Sequence, residues 1–232
     1  MNLFKFDYLK KLCKSAITYF IFFNSIIFQY IIIILFKIDR SKIKGNYSFA
    51  ILLSVIAALC VAFILFIIYR KDLVKEFKVF KKNIVECIDT GLGCWVVGLV
   101  IMAISNLLIA YFFKTGGANN ENAVQSLIKV SPILMAIDAC IIAPFNEEIV
   151  FRKAIKDISF NKYIFIILSF LVFGGAHVLG SANSIGEYLY IIPYGALGAM
   201  LAVAYSKTDT VFTSMLFHII HNTSLIIISI FL

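Results

Sequence analysis

Seven stretches of this chain are too apolar and too long to sit in water along their whole length. They cover residues 15–36, 47–69, 88–113, 131–151, 163–178, 186–205 and 210–231. About 20 apolar residues in helical form cross the hydrocarbon core of a bilayer. Lipid offers no hydrogen bonds, so a spanning segment must satisfy its backbone internally, which a helix does. The expected fold is all-α: a polytopic transmembrane helical bundle of about seven spans, forming one membrane domain. Composition agrees, with 62% hydrophobic and 15% charged residues against roughly a quarter charged in soluble domains. Mean hydropathy is +0.97.

The net charge is +8. Its lysines and arginines fall between the apolar stretches, as in cytoplasmic loops, and suit an anionic leaflet. No nucleic-acid partner is expected; the bilayer is the first partner. Residues 2–14, 70–82 and 152–162 and Lys207 are basic, whereas 115–123 and 181–187 lack that excess. A cytoplasmic N-terminus satisfies most of this pattern; the basic stretch 37–44 is the exception. The N-terminal lysines precede an apolar stretch too long for a signal-peptide core and without a small-x-small site, so a retained first span is expected. The five cysteines have neither metal nor disulfide spacing and read as small packing residues. In 70–85, Leu73, Phe77, Phe80 and Ile84 recur at helical spacing among lysines, which fits an interfacial helix or a solvated connector equally. Pro193 is expected to kink the sixth span, where Gly195, Gly198 and Ala199 offer a small-residue face.

The fourth apolar stretch carries IIAPFNEEIVFRKAI, at 141–155. On a helix, Glu148 and Arg152 are i and i+4 and share a face, so each lowers the cost of burying the other. Glu147 is turned by roughly 100° from Glu148 and has no local partner. Intramembrane carboxylates are functional candidates; the alternative is a helix end, with Arg152, Lys153 and Lys156 marking the interface. Asp138 reads as a polar packing residue. The chain's three histidines, His177, His218 and His221, all lie in or beside apolar stretches. Asn222 shares a helix face with His218. A carboxylate, two imidazoles and an amide that converge in a bundle interior are suited to activating water. They also resemble a two-histidine, one-carboxylate zinc set. No His-Glu-x-x-His motif, nucleophile–base pair or phosphate-binding glycine loop occurs.

Three motifs stand in order across 144–222: Glu-Glu-x-x-x-Arg (Glu147, Glu148, Arg152), Phe-x-x-x-His (Phe173, His177) and His-x-x-x-Asn (His218, Asn222). In these the chain resembles the CPBP membrane endopeptidases. That family includes type II CAAX prenyl proteases and the bacteriocin-processing and immunity proteins called Abi. The resemblance implies a catalytic cavity formed by the last four spans. It divides the chain into divergent N-terminal spans with a cytoplasmic interfacial loop, 1–130, and a catalytic helical core, 131–232. It implies that Glu147 activates water and that His177 and His218 bind that water, a metal or the oxyanion. Asn222 would support His218 or the tetrahedral intermediate. Glu148, Arg152 and Phe173 would position the site or substrate, with His221 behind them. If the cofactor is zinc, its ligands would be Glu147, His177 and His218; the lack of a classical zinc motif tilts the expectation toward a metal-free mechanism. Lys153 departs from the family's usual small residue and is expected to crowd the cytoplasmic mouth.

The expected activity is intramembrane endopeptidase cleavage of a membrane-associated peptide or protein. An Ile-, Lys- and Asn-rich composition is that of an AT-rich bacterial genome, so the expected location is a bacterial plasma membrane. A bacteriocin or signalling peptide then becomes the expected substrate, in processing or self-immunity. The alternatives are a non-catalytic immunity or binding protein, and a transporter using Glu147 and the histidines.

Overall fold

The computed structural model describes residues 2–231, and the side chains of residues 6–229. Lys5, part of the basic N-terminal stretch, and Leu232, the end of the expected core, lie outside those side chains. The elements are helical throughout the described residues. Helix α1 (Asn2–Phe23) bends by 63° into α2 (Ile26–Leu35). A short 3-10 turn, Arg40–Lys42, leads to α3 (Tyr47–Lys82), whose start is capped by the Asn46 side chain accepting from the Phe49 N–H. Asn83 separates α3 from α4 (Ile84–Phe113). Lys114 ends α4 in the left-handed conformation, φ 52°. Then come α5 (Asn119–Val130), α6 (Pro132–Ile137), α7 (Ala143–Glu148), α8 (Ala154–Ile158), α9 (Lys162–Val178), α10 (Ile185–Tyr188), α11 (Ile191–Thr208) and α12 (Val211–Phe231).

Helices α3, α4, α11 with its α10 lead-in, and α12 are each long and apolar enough to cross a membrane, and the bent pair α1–α2 makes a fifth if it is one span. Helix α9 is a shorter apolar helix. The expected count of seven therefore describes helical rods, of which four or five qualify as spans by length and composition. The chain is an integral membrane protein. Exposed side chains such as Ile34, Leu35, Leu107 and Tyr111 are the outward surface that such a bundle turns to lipid.

Three sequence expectations are corrected. Residues 70–82 are neither a separate interfacial helix nor a loose connector. They continue α3, a 36-residue rod about 54 Å long at 1.5 Å per residue, with Tyr69 and Leu73 buried. The sixth stretch is interrupted at Leu189 and Tyr190, between α10 and α11. Pro193 follows in the first turn of α11 instead of kinking a continuous helix, at a place where its missing N–H has no helical partner to lose. The stretch from Thr115 is not all loop, since α5 starts at Asn119.

Ion pairs gather the helix ends on one face. Lys14 meets Asp72 at 2.6 Å, Lys153 meets Glu76 at 3.6 Å, and Lys156 meets Asp209 at 3.1 Å. Glu76 also accepts from the Tyr205 hydroxyl and the Val211 N–H, at 2.9 and 2.8 Å. On the opposite face, Asn119 of α5 donates to Ser181 O and to Glu187 Oε2, at 2.8 and 2.9 Å. Between the site and the basic face lies an apolar core that includes Leu65, Tyr69, Ile149, Val150, Phe151, Phe165 and Tyr205. Helices α9 and α11 approach closely. A Cβ on Gly174 would come within 2.5 Å of Ile191 O, and one on Gly198 within 3.0 Å of Phe173 Cβ. Glycine at 198 thus leaves the room in which the Phe173 side chain is seated.

Candidate active site

Residues 132–158 form one rod with two changes of pitch. The segments Asp138–Ile142 and Ile149–Lys153 are π-helical and flank α7, which carries Glu147 and Glu148. Such turns are rare and cluster at functional sites. The first has a visible cause. The Ala143 N–H bonds to Asp138 O, five residues back. The next residue, Pro144, has no N–H. The Ala139 carbonyl therefore lacks a donor of either helical pitch, and Asn222 Nδ2 of α12 supplies one at 2.8 Å. In the second π segment, the Ser169 hydroxyl of α9 donates to Phe151 O at 3.1 Å. Neighbouring helices thus hold the rod in register around the glutamates.

Glu148 and Arg152 are both fully buried. Arg152 Nη2 is 3.3 Å from Glu148 Oε1, within ion-pair range. The pair is not aligned as a hydrogen bond, and none of the three guanidinium nitrogens has a hydrogen-bond partner among the described residues. The Arg152 guanidinium carbon instead lies 4.3 Å from the Phe173 ring centroid, a cation–π contact that gains strength when desolvated. The same Glu148 oxygen faces Nδ1 of His218 at 2.8 Å. This second contact of Glu148 was not foreseen from the sequence, where only Arg152 was its partner.

The hydrogen-bond partners set the imidazole tautomers. A carbonyl oxygen only accepts, so the 2.9 Å contact of His177 Nδ1 with Phe173 O puts the hydrogen on Nδ1. His218 donates from Nδ1 to the Glu148 carboxylate in the same way. In the neutral form, either ring keeps a lone pair on Nε2. His218 Nε2 is 3.6 Å from Glu147 Oε2, too long for a direct hydrogen bond. Phe173 links the two rings, 4.3 Å from His177 and 5.7 Å edge-on from His218. Through it, His177 of α9 and His218 of α12 meet at one site. The other face of His177 stacks on Tyr194 at 4.7 Å.

A cavity of about 270 Å³ is lined by Glu147, Phe173, His177, His218, His221 and Asn222. A second, of about 400 Å³, reaches Glu147 and His177 from the α1–α2 bend, past Phe22, Phe23 and Phe151. All the expected motif residues except the buried pair Glu148–Arg152 line the first cavity, and that pair lies directly behind His218. Asn222 contributes its amide to Ala139 and not to His218. Lys153 does not crowd a mouth. It turns away from the cavities and pairs with Asp157, Glu76 and Asp72. The sequence reading also passed over Asn120, Glu121 and Tyr194, which line the first cavity. The signal for the first two was present: Val124, Leu127 and Ile128 recur at helical spacing just after them.

The donor types at Glu147, His177 and His218 are those that zinc takes. Yet among the described residues no three His, Cys, Asp or Glu side chains are grouped to hold a metal ion. The arrangement does not fit a preformed zinc centre.

Residues 129–224 match the family described as "Type II CAAX prenyl endopeptidase Rce1-like". The chain is also 27% identical over 135 residues to "Putative membrane peptidase YdiL" of Bacillus subtilis (strain 168). That match covers 56% of this chain and 52% of the relative, so the chain spans about half the length of the curated relative it matches. No solved structure matches.

Proposed function

We propose that the chain, whose C-terminal helices belong to the Rce1-like family of CPBP membrane proteases, is an intramembrane endopeptidase using glutamate-activated water. The observation that carries this reading is the orientation of His218. Its Nδ1–H is held by a buried carboxylate, and its Nε2 stands 3.6 Å from Glu147 over a cavity. Glu147 as a carboxylate and an unprotonated Nε2 are both acceptors. A water donating one hydrogen to each would turn a lone pair toward the carbonyl carbon of a bound peptide.

In this mechanism Glu147 takes one proton as the water oxygen bonds to the carbonyl carbon. The protonated Glu147 then delivers it to the amide nitrogen as the C–N bond breaks, leaving a carboxylic acid and an amine. The His177 ring, held between Phe173 and Tyr194, fixes the far wall. The two cavities meet at Glu147 and His177, which suits an extended peptide lying across the glutamate. A membrane-associated bacteriocin or signalling peptide is the proposed substrate, processed for export or self-protection. The basic face is proposed to be cytoplasmic.

The test is Glu147→Gln in reconstituted protein, with quenched-fluorescent apolar peptides as probes. A loss of about a thousandfold in cleavage is expected, with an unchanged melting temperature. Full activity in the variant would sink the reading. Retained protection of cells by the inactive variant would favour a binding role over cleavage.

A further inference from the structure

Helix α5 lies outside the segment that matches the Rce1-like family, residues 129–224, for nearly all its length. Its first turn nonetheless brings Asn120 and Glu121 to the wall of the candidate catalytic cavity. Glu121 is not a loose surface carboxylate. Gln125, one turn on, donates from Nε2 to Glu121 Oε1 at 2.9 Å and to Ser229 Oγ of α12 at 2.7 Å. The carboxylate is thus braced against the helix that carries His218.

A second carboxyl group, Asp138, lines the same cavity from the first π turn, and its Oδ1 is buried with no hydrogen-bond partner among the described residues. Glu147 is the third. No lysine or arginine side chain lines this cavity among the described residues; Arg152 is committed behind it to Glu148 and Phe173. A buried polar atom without a partner is destabilising unless a ligand supplies one. Carboxyl groups around a low-dielectric cavity attract cations and repel anions.

We propose that Glu121 and Asp138 form a specificity subsite for a basic side chain, so the enzyme prefers peptides with a lysine or arginine near the cleaved bond. This rests on the endopeptidase reading for its consequence in cleavage. The subsite itself is a binding property. The cation would occupy the space between α5 and the first π turn, beside Glu147, while apolar neighbours of the substrate lie against Val124, Ile128 and Leu225.

The experiment uses three quenched-fluorescent apolar peptides that differ only at one central residue: lysine, glutamine or glutamate. Wild-type protein in liposomes is expected to favour lysine over glutamine by about tenfold in kcat/KM, and glutamate peptides least. Glu121→Gln is expected to reduce the preference for the lysine over the glutamine peptide several-fold, mainly through KM of the lysine peptide. Equal cleavage of the three peptides, or an unchanged preference in Glu121→Gln, overturns the proposal. Fluorescence anisotropy of the same peptides on Glu147→Gln protein separates the two readings. Lysine-selective binding without any wild-type cleavage would sink the peptidase and keep the subsite. Equal binding, or none, would remove the subsite whatever the activity.

Discussion

The guanidinium of Arg152 lies against the ring of Phe173, 4.3 Å from carbon to centroid, in a fully buried setting. The aromatic ring does for this cation part of what hydrogen bonds do elsewhere. The same ring touches His177 and His218. Phe173→Leu is therefore expected to lower both stability and turnover. The loss of the cation–π contact is worth about 2 kcal/mol when desolvated, visible as a lower melting temperature, and the loosened imidazoles reduce cleavage by about tenfold or more. Unchanged melting would show that the ring is filler.

Glu148 serves Arg152 and His218 with one oxygen. Glu148→Gln leaves a buried cation without its counter-charge, at a cost of about 3–5 kcal/mol. Pairing it with Arg152→Met removes the stranded charge, so the double variant is expected to be more stable than Glu148→Gln alone. A double-mutant cycle on thermal unfolding measures this. Neither variant is expected to regain full cleavage, because a neutral amide at this position cannot hold the His218 imidazole as a carboxylate does. Simple additivity in the cycle would contradict the pairing.

Asn222 stands in for the N–H that Pro144 lacks. Asn222→Ala leaves the Ala139 carbonyl without a donor, a penalty of about 1–3 kcal/mol. Pro144→Ala supplies a backbone N–H and is expected to restore part of that stability in the double variant. It also frees the rod to return to α-helical pitch and turn Glu147 away, so activity should not return with stability. Rescue of both together would separate the π turn from catalysis.

Glutamate-activated water requires no metal ion. Cleavage is expected to persist in EDTA and in 1,10-phenanthroline, and the purified protein is expected to carry less than stoichiometric zinc. Inhibition by chelator, reversed by equimolar zinc, would instead assign Glu147, His177 and His218 as ligands.

The helical bundle is legible because lipid imposes a length and a composition on each span. The Glu148–Arg152 pair is legible because i and i+4 share a helix face. Other features depend on pitch and azimuth, which no local pattern fixes. The second contact of Glu148 requires His218 to arrive from a helix 70 residues away. The π turn at Asp138–Ile142 depends on a proline's missing donor being answered by Asn222. Lys153 reads as a mouth residue until Asp72, Glu76 and Asp157 are seen to draw it the other way. Helix α5 was hidden by its polar start, NNEN, in which Asn120 and Glu121 face a cavity and so look like a loop.

The cluster of Lys14, Asp72, Glu76 and Lys153 has a mechanical consequence. It rivets α1, α3 and the rod leading into α8 together at one end and, through Glu76, takes hold of α11 and α12 there as well. A bundle held by salt bridges at one end and by amide hydrogen bonds, such as Asn119 to Glu187, at the other splays more readily at the second. Any widening that admits a bulky peptide would thus be greatest at the α5 end. The riveted end would act as the fulcrum, and its salt bridges would set how stiffly the tongs resist being prised apart.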